Sequence, residues 1–223
     1  MADKTPSGGS SGGVMPIISF AAVLAAIVSG VRLLGELEGW NHLFLGKNLF
    51  SVEAGGGGSL FGVATLVPIF GFWFGRRLAA GGRGPKAIGK SMLLHVLGIA
   101  LCGGVMYVTM TGDFLSDWKE RGLAMCIGTS VVGLLALVAW PAGWIANAFF
   151  GALSRAPIVL IQYIAVAKGW DTHYSKAHPS IPKDPDSVLF ALTLAQATFW
   201  PLAFTTLVGG LFATIGAATV RKG

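Results

Sequence analysis

The chain has 223 residues, 53% of them hydrophobic and only 12% charged, about half the charge of an ordinary soluble domain. That shortage, with a strongly positive mean hydropathy, excludes a water-soluble globule and a disordered polymer, and two cysteines are too few for a disulfide scaffold or a zinc module. The class that remains is all-α: a polytopic integral membrane helical bundle of about six transmembrane helices, with five as the alternative.

Residues 1–13 read as a disordered polar tail rich in Gly and Ser, and residues 14–220 as a single transmembrane helical domain. Lys4 stands far from a span-length apolar core, so the first helix reads as an uncleaved anchor and not as a secretory signal. Crossing about 30 Å of hydrocarbon takes roughly 20 apolar residues. Uncharged runs near that length occupy residues 14–31, 59–75, 91–111 and 122–140. Arg32 is expected to snorkel at the end of the first. Gly55 to Gly58 reads as a flexible lead into the second, which closes on Phe70, Phe72, Trp73 and Phe74 as an aromatic belt before Arg76 and Arg77.

The last third is less regular. Residues 156–167 are uncharged for only twelve positions, too short to span. The run reaches spanning length if it begins near Ile145 and carries Arg155 and Pro157 within it, or else it is tilted, broken or re-entrant. Residues 188–220 are long enough to cross with a tilt or with a kink at Pro201.

With six spans and the amino terminus inside, nine of the 16 basic residues fall on the cytoplasmic side: Lys4, Arg76, Arg77, Arg83, Lys86, Lys90, Arg155, Arg221 and Lys222. The loop at 76–90 holds five of them and no acid, the pattern of a cytoplasmic loop against anionic lipid headgroups. The net charge of +6 is thereby assigned to the bilayer and not to nucleic acid. A five-span count preserves this bias, so the side of the carboxyl terminus stays open. The expected location is the cell inner membrane, multi-pass, with a cytoplasmic amino terminus.

Small residues recur at helical spacing, as in Gly71 and Gly75, Gly98, Gly103 and Gly104, Gly128 and Gly133, and Gly209 to Ala217. They suit packing within the bundle, an oligomer interface or a sliding surface. Cys102 and Cys126 read as small buried hydrophobes.

Three groups of residues could carry chemistry. Nine of the ten acids fall on the outer side under six spans: Glu36, Glu38, Glu53, Asp113, Asp117, Glu120, Asp171, Asp184 and Asp186. With His42, Asp171, His173 and His178 they offer ligand types suited to a divalent cation, although no spacing is diagnostic and plain polar loops are the alternative. The second group is Arg155 with Pro157 and Gln162, preceded by Asn147 and Ser154, and faced by Gln196 with Thr193 and Thr198. It is expected either to line a transport path or, for Arg155, to anchor at the interface. The third is His95, expected to be a hydrogen-bonded interface residue. A bis-His haem lacks a second helical imidazole, so no cofactor is expected.

Catalytic signatures such as His-Glu-x-x-His, Gly-x-Ser-x-Gly and the Walker loop are absent. The sequence therefore points to a non-enzymatic membrane protein. The first reading is a structural or accessory subunit docking onto other membrane subunits or a second copy, motivated by abundant Gly and few buried ionisable groups. The alternative is a small transporter or channel for a cation or small solute. Residues 111–121, Thr-Gly-Asp-Phe-Leu-Ser-Asp-Trp-Lys-Glu-Arg, resemble the loop after the first span in the A subunit of particulate methane and ammonia monooxygenases. The resemblance covers eleven residues of 223, no other part of the chain shares it, and no functional residue carries over.

Overall fold

The computed structural model describes residues 13–45, 47–112 and 115–220. The expected tail, apart from Gly13, lies outside the described residues, as do Lys4, Asp113, Arg221 and Lys222.

Helix α1, Met15–Leu37, starts with a Pro in its first turn, where a missing N–H costs nothing. It runs past Val31 because Arg32 and Glu36 stand one turn apart and pair, Nε to Oε1 at 2.8 Å. A connection follows with a two-stranded antiparallel hairpin, β1 Leu43–Phe44 and β2 Lys47–Asn48, and a 3-10 turn at Ala54–Gly58. Next come α2, Val63–Ala80, and α3, Ile88–Thr111. Helix α4, Trp118–Ala139, is capped by Asp117, whose carboxylate accepts from the Lys119 and Glu120 amides. An extended Trp140 separates α4 from α5, Pro141–Lys168, which ends on Gly169 at φ +63°, a left-handed cap that glycine adopts without strain. The last crossing is α6, Pro185–Ala197, a π-helical turn at Phe199–Phe204 around Pro201, and α7, Thr205–Ala218.

Five of these helical stretches are long and apolar enough to cross a membrane: α1, α3, α4, α5 and the continuous run Pro185–Ala218. The sixth bundle member, α2, is shorter and carries Arg76 and Arg77 near its end. The distribution of polarity is that of a membrane bundle. Ile127, Val131, Leu134 and Val138 form an exposed apolar stripe on α4, and Phe20, Val23 and Ile27 form one on α1, while Thr129, Asn147, Gln162 and Thr205 are buried. A soluble bundle would arrange these the other way round.

Helix α7 is central and packs against α2, α3, α4 and α5. Its approach to α2 is backbone to backbone: a side chain on Gly71 would strike Gly209, and one on Gly75 would strike Ala213. Gly133 likewise meets the Leu202 backbone, and Gly216 that of Phe72. Most of the small-residue positions thus serve packing within the chain, and Gly103 and Gly104 on α3 are exceptions with nothing beside them. Phe74 and Phe150 fill the core between α2 and α5, with ring centroids 5.6 Å apart.

With α6, the π-helical turn and α7 counted as one continuous run, each helix reverses the direction of the one before. Trp140 Nε1 donates to the Arg83 carbonyl, 2.9 Å, and Arg76 Nη1 to Thr219 Oγ1, 2.9 Å, so the α2–α3 and α4–α5 connections and the end of α7 share one basic end. Glu36 meets His173, and the Trp118 ring at the start of α4 meets Phe190 in the first turns of α6 at 6.0 Å, so the other three connections share the opposite end.

Residues 156–167 follow the first of the courses open to them, since they belong to the continuous 28-residue α5, which carries Arg155 and Pro157 within it. One expectation is corrected. Arg32 does not snorkel: at 6% exposure it is turned into the protein, as are Glu36 and Arg155. The premise that few ionisable groups are buried therefore fails.

Candidate functional site

Helix α5 is 28 residues long, and Arg155 lies near its middle, about 20 Å along the axis from either end. Ile158 and Gln162 follow on the same face at helical spacing. Opposite them α6 presents Leu192, Ala195 and Gln196, and the π-helical turn presents Trp200. The far end is lined by Arg32 from α1, by His173, Tyr174 and Lys176 from the α5–α6 connection, and by the start of α2. Between these walls is a cavity of about 200 Å³. Arg155, Gln162 and Gln196, expected from the sequence to line a path, all border this one space.

The two arginines on its wall differ in their partners. Arg32 donates from Nε to Glu36, from Nη1 to the Phe61 carbonyl at 2.9 Å, and from Nη2 to the carbonyls of Ser51 and Gly56, each at 3.3 Å. Gly56 stands at φ +78°, and a side chain there would run into the guanidinium. Glu36 accepts from the His173 backbone N–H at 2.9 Å and meets Nδ1 of the same residue at 2.5 Å. Burial holds the His173 imidazole below its ordinary pKa, against the pull of Glu36. A carboxylate can only accept, so Nδ1 is the donor in this contact. Tyr174 donates to the Ser29 carbonyl at 3.1 Å, and burial pushes its hydroxyl up to about 12. Together these contacts clasp the end of α1 to two connections.

Arg155 has no such shell. Its Nη1 reaches Gln196 Oε1 at 3.5 Å, the limit of a hydrogen bond, and the Trp200 ring covers the guanidinium at 4.3 Å from centroid to Cζ. Nε and Nη2 are buried without a partner, and so is Gln162 Oε1. Lys176 is occupied by Asp171 at 2.6 Å. Two guanidinium groups thus border the cavity, and among the described residues no carboxylate lines it; Glu36, the nearest acid in this network, is spent on Arg32 and His173.

The metal candidates are dispersed. His173 is held by Glu36, Asp171 by Lys176, His178 Nδ1 by Ser180 at 2.8 Å, and His42 lies against the Phe50 ring. Among the described residues no three His, Cys, Asp or Glu side chains converge. His95 is buried, with Nδ1 2.7 Å from the Ser91 carbonyl and its ring against Gly210, a packing contact between α3 and α7.

At the basic end a perimeter groove of about 560 Å³ is lined by Trp73, Arg76, Arg77 and Thr219. It unites Arg76 and Arg77 of the expected headgroup set and leaves out Arg83, Lys86 and Lys90. The clasp was not foreseen as a unit. The i, i+4 spacing of Arg32 and Glu36 was its only local signal, and His173 joins from 137 residues away. No protein family, curated protein or solved structure matches the chain.

Proposed function

We propose that this chain is a non-enzymatic multi-pass protein of a cell inner membrane that takes up a small polar solute through the cavity at Arg155. The reading rests on one observation: Arg155, Gln162 and Gln196, from the middle of α5 and from α6, border one cavity between the helices. A charged group at that depth is costly in lipid and marks a solute or ion route when it faces an internal space. The excess of guanidinium over carboxylate disfavours a cation as cargo. The basic end, with Arg76, Arg77, Arg83, Lys86 and Lys90, supports a cytoplasmic placement for that end and for the amino terminus, and Arg76 and Arg77 suit anionic headgroups. In this orientation the clasped end of the cavity faces outward.

The test is flux in reconstituted liposomes over a panel of small anions, neutral solutes and cations. Arg155→Ala and Gln196→Ala are expected to abolish or strongly reduce the flux of whichever solute passes. Unchanged flux of every solute in both variants would overturn the reading.

A second reading, an accessory subunit docking onto other subunits or a second copy, is favoured by Gly103 and Gly104. Both are exposed on α3 with open space at the Cβ position, as a helix prepared for close approach would be. It predicts disulfide cross-links at Gly103→Cys in native membranes once Cys102 and Cys126 are replaced. A monomer that forms none and retains no partner in mild detergent would exclude it.

A further inference from the structure

We propose that the cavity at Arg155 is an oxyanion site, which receives the carboxylate or phosphate group of a small solute or lipid headgroup along one edge of the Arg155 guanidinium. This deepens the uptake reading above and rests on it. A buried guanidinium is ordinarily matched by a carboxylate or by a shell of carbonyls, and Arg32 in the same cavity has both. Arg155, equally buried, has one contact at 3.5 Å.

The geometry of the vacant donors selects the ligand. Trp200 covers a face of the guanidinium and Gln196 takes Nη1. The idle pair is Nε and Nη2, whose N–H bonds point in parallel from one edge at the spacing of two oxygens on a carboxylate or phosphate; both are covered in the unliganded protein, so the ligand engages them by a turn of the side chain into the cavity. A spherical anion or a neutral amide engages that fork poorly. The charge agrees: Glu36 is committed to Arg32 and His173, Lys176 is tied to Asp171, and one positive charge is left to neutralise. Gln162 Oε1 is also without a partner, so a ligand carrying a hydroxyl or amide donor beside its anionic group would satisfy both walls. A volume of about 200 Å³ admits a molecule or headgroup of few atoms, below the usual drug-sized range.

The experiment is thermal unfolding and calorimetric titration of the purified full-length protein, with acetate and inorganic phosphate as free probes. Nanodiscs of phosphatidylglycerol against phosphatidylcholine form the lipid arm. A saturable rise in the unfolding midpoint is expected with an oxyanion. Arg155→Lys, which keeps the charge and loses the fork, should weaken the affinity about tenfold, the loss of one charge-assisted hydrogen bond. Arg155→Gln should abolish the response, and Lys168→Gln, exposed on the same helix, should leave it intact. Response to the free probes identifies a solute site, and response only to phosphatidylglycerol identifies a headgroup site.

No Arg155-dependent response to any of these, or an equal response to chloride, would overturn the assignment. Arg155→Gln is expected to unfold no earlier than the parent without ligand, since it removes an unmatched buried charge, and Arg155→Lys supplies the readout should it misfold. Oxyanion binding without flux overturns uptake alone, and flux of a neutral solute without oxyanion binding overturns the oxyanion site alone.

Discussion

Arg32 and Arg155 are both 6% exposed, yet the first is saturated with acceptors and the second is left with an idle edge. The difference separates a side chain that holds the structure from one available to a ligand. His173 belongs to the first kind. Burial keeps its imidazole below the ordinary value of 6.5, so the unfolded chain takes up a proton before the folded one does. The stability this residue contributes is complete above that value and is lost as the pH falls from it towards the lower folded pKa. The unfolding midpoint in detergent should therefore drop as the pH falls below the ordinary value of 6.5, and His173→Gln should flatten that slope. An equal slope in the variant would show that the proton binds elsewhere. Arg155 was legible because an ionisable residue inside an apolar stretch stands out in any sequence. Arg32 was misread, since an arginine at the end of an uncharged run looks the same whether it turns to water or to protein. Its acceptors are carbonyls of a connection whose path no local pattern encodes.

The helices extend beyond their uncharged runs wherever a terminal charge finds an internal partner or a cap. Charge-free length is thus a lower bound on helix length, and α5 is the extreme case. Pro157 removes one backbone donor from α5 without ending it, in a helix that α1 and α7 pack along. Pro201 does alter its helix, which widens to a π-helical turn beside Trp200 and Arg155. The two prolines have the same chemistry and different outcomes, so the residue type alone does not set the local helix form. The glycines divide in the same way. Gly75→Ala would force a methyl group into the Ala213 backbone, and overpacking of that kind costs about 1–3 kcal/mol. Gly104→Ala meets nothing and should be neutral or stabilising by up to about 1 kcal/mol through helix propensity. Thermal unfolding of the two variants side by side checks the contrast. Equal effects would mean that α2 and α7 are not in backbone contact.

For the molecule as a whole, alternating helix directions leave two ends of unlike charge. Those ends follow from composition and span count, which is why the bundle and its basic loop were readable from the sequence. The cavity was not, because its walls come from α1, α2, α5, α6 and two connections that only the folded arrangement joins. Sidedness is open to direct measurement in a background without Cys102 and Cys126. Lys86→Cys at the basic end should react only with reagent admitted to the cytoplasmic side, and Ser180→Cys, exposed in the α5–α6 connection, only from outside. Labelling of both from one side would contradict the antiparallel arrangement and the proposed orientation together.

The shell around Arg32 has a consequence for how this arrangement is reached. Three carbonyls from one connection and a carboxylate converge on a single cation, as they would in a loop that chelates an ion. Here the ion is tethered to α1. Its occupancy cannot respond to any concentration in solution, and the connection acquires its shape at the moment the end of α1 arrives beside it. Placement of the end of α1 and the shape of this rim are then tied to each other, and the rim is one wall of the cavity.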